Sequence, residues 1–166
     1  MDAKQFILKN LSGNLSFLKD TLKDFSDADL FVRPCPGANH AAWQIGHLIN
    51  AETHVVGAID PKSATPLPEG FSDLFKKEAS NIDDPAKFGK FAKKEELLGL
   101  FEKARNSTIA SLTALSPADL DKPTPEKFRG WATSYGELLA RQASHVTMHI
   151  GQFQVIRRKL GKPILF

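Results

Sequence analysis

The 166-residue chain is 42% apolar and 25% charged, with a formal net charge of +3, so one hydrophobic core can form without staples and a single domain over residues 1–166 is expected. Its one cysteine, Cys35, excludes an internal disulfide and a thiolate-rich zinc site, and between prolines it reads as a packed or exposed thiol rather than a reactive one. Lys and Arg are scattered apart from Arg157-Arg158-Lys159, no run approaches the roughly 20 apolar residues that span a bilayer, and MDAKQFILKN lacks the marks of a signal peptide, so we expect a cytoplasmic protein without nucleic-acid or membrane partners.

In chain order, Phe6, Ile7, Leu11, Leu15, Leu18 and Leu22 recur at three- and four-residue steps, which predicts a first helix from Asp2 to Asp24. After the turn Pro34-Cys35-Pro36-Gly37, Asn39 reads as the N-cap of a second helix that runs to Ala58 and is stopped by Asp60-Pro61. Residues 60–92 form a proline-bearing link with a short helix around Phe71–Lys77. Links of this length usually cover something or serve a function. A third helix is expected over Lys93–Leu115, with Leu97, Phe101, Ala104, Thr108, Leu112 and Leu115 on one stripe. The fourth starts at a capping box, Ser134 with Glu137, and ends near Leu160 before Gly161 and Pro163. The segments Leu22–Leu30 and Leu112–Leu120 share a Ser-x-Ala-Asp-Leu ending. With no alternating β-branched runs, an all-α four-helix bundle is the economical fold.

The chemistry lies in the histidines. His145 and His149, four apart on a helix, project from one side about one turn apart, so their imidazoles can meet on one ion. They share an arc with Leu138, Gln142, Gln152, Phe153, Ile156 and Leu160, the side that faces the core. Two imidazoles there need partners; a metal supplies both, and so would two separate hydrogen bonds. On the second helix Trp43, His47, Asn50 and His54 fall on one arc, while Ile45, Leu48, Ile49, Val55, Val56 and Ile59 occupy the other side. The polar arc is expected to face a cavity, and the aliphatic side another helix or a second subunit. His47, His145 and His149 would give three nitrogen ligands and leave a coordination position open, as in catalytic sites. The absence of thiolates favours zinc or nickel. His54 sits about 10 Å beyond His47 along the axis, so it reads as a pocket residue. His40 reads as a helix-start residue, and Glu52, opposite His47, as structural.

The run Asn39-His-Ala-Ala-Trp43-Gln-Ile-Gly46-His47-Leu48 and the run His145-x-x-x-His149-Ile-Gly151-Gln152 resemble the two histidine motifs of the DinB-like (DinB/YfiT) superfamily, regarded as metal-dependent enzymes. The order of helices and the long link match as well. The resemblance implies an up-down-down-up four-helix bundle, metal ligands at His47, His145 and His149, and often a homodimer. Among its characterised members are S-transferases that use the low-molecular-weight thiols mycothiol or bacillithiol, and a mycothiol-dependent maleylpyruvate isomerase. The function expected on this footing is a thiol-dependent S-transferase acting on a small-molecule substrate, with Trp43, Asn50, His54 and Gln142 shaping the pocket around the open position. The alternatives are a metal-dependent hydrolase, which would need a general base near the ligands, and a non-catalytic metal-binding dimeric scaffold.

Overall fold

A computed structural model describes residues 1–165. The long periodic segments are helices α1 (Ala3–Leu22) and α2 (Ala41–Ile59), a single turn α3 (Phe71–Leu74), and helices α4 (Lys94–Ala114) and α5 (Tyr135–Lys159), joined by 3₁₀ turns. The described residues contain no strand; an isolated bridge pairs Pro123 with Ser134. No helix among them is long and apolar enough to cross a membrane.

The helix starts show how short polar side chains satisfy free backbone N–H groups. Asp2 and Gln5 form a reciprocal capping box on α1. At α2 the cap is His40, not Asn39: its Nδ1 accepts from the Trp43 amide at 3.1 Å while Nε2–H donates to the Ile82 carbonyl at 2.9 Å. An imidazole has two polar ends, so one residue caps the helix and ties down the long link. The Asn39 carbonyl instead accepts from the Gln44 side chain. At α5 only half of the expected box forms. Ser134 Oγ accepts from the Glu137 amide, but the Glu137 carboxylate takes the Thr133 amide and hydroxyl and pairs with Arg141.

The helix α1 packs on α4 and α5, and α2 packs on the same two. The aliphatic side of α2, Ile45, Leu48, Ile49, Val55 and Val56, is buried within the chain, so neighbouring helices cover it and no second subunit is needed there. The link after α2 joins the core as well. Its 3₁₀ turns and α3 bury Phe71, Phe75, Phe88 and Phe91. Phe75 lies so close to Gly46 that a Cβ at that position would fall 2.1 Å from a ring carbon. The glycine before His47 thus lets the link close on α2.

The repeated Ser-x-Ala-Asp-Leu ending is a true structural repeat. Ser26 exchanges hydrogen bonds with Asp29 in the turn after α1, and Ser116 does the same with Asp119 after α4. Leu30 and Leu120 close each turn onto the core.

Candidate metal centre

One imidazole from α2 and two from α5 meet where these helices pack. Ligand atoms of His47, His145 and His149 lie within 4.8 Å of one another, with His149 buried and the other two half-buried. Neighbouring groups fix two of the rings. The Trp43 indole stacks on His47, with centroids 5.0 Å apart and planes 7° from parallel, and its Nε1–H donates to the Lys76 carbonyl. Gln44 fixes His149. Its Nε2 donates to the Asn39 carbonyl at 2.6 Å, so Oε1 must be the end that meets His149 Nδ1 at 2.7 Å. His149 therefore carries its proton on Nδ1 and turns the Nε2 lone pair toward the other histidines. An outer partner that fixes the tautomer in this way is the usual support of a metal-ligating histidine.

Burial first, then mutual repulsion, hold the rings neutral: His145 is pushed down to about 4 and His149 to about 3, and burial lowers His47 as well. Neutral imidazoles are the ligating form. Zinc–nitrogen bonds of about 2.0–2.1 Å at tetrahedral angles place neighbouring nitrogens about 3.3 Å apart. The Nε2 atoms of His145 and His149 are 3.2 Å apart. The two donors of α5 already stand at that spacing and His47 offers a third within 4.8 Å of them, a donor set that could hold a divalent ion.

A cavity of about 370 Å³ runs from His47 along Asn50 and His54 to Phe75 and Lys76 of the link and to Phe128 and Trp131 of the loop before α5. A second, of about 270 Å³, adjoins His145, Arg141 and Met148. Gln142 and Trp131 border both. Asn50 is held by Ser72, whose hydroxyl donates to Asn50 Oδ1 at 3.1 Å. His54 stands at the exposed end, its pKa lowered by burial and by Lys127, and is not part of the trio. Trp43 stacks behind His47 and does not line the cavity.

Opposite the histidines, Glu52 pairs with Arg105 at 2.6 Å, both fully enclosed, and accepts from the Thr108 hydroxyl. Arg105 also donates to the Gln142 carbonyl. Sequence patterning alone does not single out Gln44, Arg105, Phe128 or Trp131. For Gln44 a signal existed, since it precedes His47 by three residues and so lies on the adjoining helix face.

The helices and the imidazole cluster define an all-helical protein with three neutral nitrogen donors beside a cavity. The model of the DinB superfamily matches residues 14–153, and the chain belongs to that superfamily. It is similar in structure to a protein of Enterococcus faecalis, solved as "conserved protein of locus", with a TM-score of 0.72 and 18% identity over 98% of this chain and 99% of that one. At that identity the likeness is one of fold. No curated protein matches the chain.

Proposed function

We propose that the protein is a metal-dependent S-transferase in which His47, His145 and His149 hold zinc or nickel and a low-molecular-weight thiol reaches the open position through the cavity beside His47. The observation that carries this reading is the fixed tautomer of His149, whose Nε2 lone pair has no use in the folded chain except toward a shared proton or a metal. When bound, the metal supplies Lewis acidity that lowers the pKa of a thiol arriving there. The chain's own residues do the rest. Trp43 and Gln44 hold two of the rings, Gln142 offers an amide group at the cavity wall beside the paired Asn50 and Ser72, and Phe75, Phe128 and Trp131 keep much of that wall apolar.

A hydrolase needs a base beside the ligands, and neither nearby carboxylate suits. Glu52 is locked to Arg105 on the far side of α2, and Asp73 stands at the outer, exposed edge of the cavity wall beside Lys76. With no carboxylate in the histidine cluster itself among the described residues, we favour transfer over hydrolysis. The same reading takes the chain as one cytoplasmic domain with an up-down-down-up bundle in which α1 and α2 each pack on both α4 and α5, and as a homodimer, for which light scattering is the test.

Protein purified without a nickel-affinity step should contain stoichiometric metal, and His145→Ala should lose it. Small thiols should then raise the melting temperature of the metal-bound form, and metal should be required for conjugation to an electrophile. Substoichiometric metal, unchanged in His145→Ala, would sink the metal centre. A metal-bound protein that responds to no thiol would leave the centre and remove the transferase.

A further inference from the structure

Gln142 stands out among the polar groups of the cavity. Its side chain is 5% exposed, it borders both the His47 and the His145 cavity, and its Oε1 is buried with no hydrogen-bond partner. The other carboxamides near the trio are committed: Gln44 between Asn39 and His149, and Asn50 to Ser72. Leaving an amide oxygen enclosed and unpaired is costly, and of the described residues that line these two cavities Gln142 is the one with such an atom. Much of the surface around it is apolar or aromatic, with Phe75, Val55 and Phe128 on one side and Trp131, 61% exposed, bordering both cavities; the polar groups there include Asp73 and Lys76, which pair with each other, and Arg141, which pairs with Glu137.

We infer that Gln142 orients the small molecule that enters this cavity, its carboxamide hydrogen-bonding a hydroxyl or amide on a ligand whose body is apolar or aromatic and lies against Phe75, Phe128 and Trp131. The amide can present either a donor or an acceptor by rotation about its last torsion, so a group that does both is the best match. The body must be compact, since the larger cavity is about 370 Å³. Trp131 and Gln142 line both the His47 side and the His145 side, so a molecule in either cavity lies beside Gln142. The inference concerns the cavity assigned above to the thiol-dependent reaction, and it deepens that reading by naming the polar anchor and the body of the second substrate. It is tested by binding alone.

The probes are phenol and toluene, alike in size and differing in one hydroxyl, titrated into the full metal-loaded chain and followed by the Trp131 indole N–H resonance, assigned with Trp131→Phe. Both should shift that resonance. Gln142→Met, close in shape, should lower the phenol-to-toluene affinity ratio about tenfold, the value of one hydrogen bond to a buried amide. It should leave the melting temperature of the ligand-free chain unchanged or raise it by about 2–4 °C, since a buried unpaired group is removed. Gln142→Leu repeats the test with a branched side chain.

The same ratio measured in His145→Ala separates this inference from the metal reading. A ratio kept there and lost in Gln142→Met supports the amide contact, whatever metal analysis shows. An unchanged ratio in both Gln142 variants overturns it, as does no response of Trp131 to either probe. A clear fall in melting temperature in both Gln142 variants also overturns it, because Gln142 would then be a structural member of the Arg105 network.

Discussion

The helix α2 carries a polar cluster on each of two sides, and the two are finished differently. Toward α4, Glu52 meets Arg105 and Thr108, all buried, and the charges cancel within the chain. Toward α5, His47 meets His145 and His149, and three neutral rings turn nitrogen atoms toward one another beside open space. The charges of the buried pair are matched within the chain, although Arg105 Nε and Nη1 lack a hydrogen-bond partner. Of the three, His149 Nε2 is fixed as a lone pair, and it is met by a proton shared with His145 or by a cation. The contrast separates a polar group that holds the fold from one that awaits a ligand.

The largest effect should come from the closed cluster. Arg105→Met leaves the Glu52 carboxylate buried and unpaired, which should cost about 3–5 kcal/mol of stability, measured by urea unfolding of metal-free protein. The double variant Glu52→Leu/Arg105→Met should recover most of that loss. If it does not, the pair is more than a charge-neutral plug. The desolvation of Glu52, which pushes its carboxyl pKa up against the lowering effect of Arg105, is the physical reason the single variant is worse than the double.

The open cluster should respond to metal instead. Zinc at a hundred times its dissociation constant should stabilise the wild type by about 2.7 kcal/mol and His145→Ala by far less. Gln44→Met, which removes the group that fixes His149, should weaken zinc binding about 10–100-fold while leaving the ligands in place, as calorimetry would show. Equal affinity in Gln44→Met would mean the tautomer is set by the other histidines.

Acid sharpens the comparison further. His145 and His149 titrate near 4 and 3 in the folded chain against an ordinary value of 6.5. Between those values the unfolded chain binds more protons, so metal-free protein should lose stability as pH falls from 6.5 toward 3. Above 6.5 both states are neutral and these residues add no pH dependence. The variant His145→Gln/His149→Gln should flatten this part of the profile, and an unchanged slope would mean that the rings are not held neutral. The smallest effect belongs to the turns: Ser26→Ala and Ser116→Ala should each cost about 1 kcal/mol, the second somewhat more because the Ser116 hydroxyl also donates to Asp119.

Where sequence reading worked, the signal was periodic. The four long helices follow from apolar steps of three and four. The arc that joins Trp43 to His47 on α2, together with the pair on α5, was enough to single out the three rings that the fold brings together. The paired turns were visible as a repeated Ser-x-Ala-Asp-Leu. Within the link over 60–92 the short helix around Phe71 was legible and forms as α3, but the 3₁₀ turns were not, because they bury isolated phenylalanines and leave no period to read. Arg105 was hidden by its type, since arginine is rarely enclosed without a partner and Glu52 lies far from it in sequence. His40 displaced Asn39 as the cap for a reason that only the fold supplies, the second contact to Ile82. Gln142 could be placed on the core side of α5 from its spacing, yet its lack of a partner depends on what the neighbouring helices leave unfilled.

The most direct test of the metal centre is a cobalt(II) titration of the metal-free chain followed by visible absorption. The three imidazoles should give a ligand-field band that saturates at one ion per chain, disappears in His149→Ala and is displaced by zinc. A band that is absent from the wild type, or that persists unchanged in His47→Ala, His145→Ala and His149→Ala alike, would contradict the assignment.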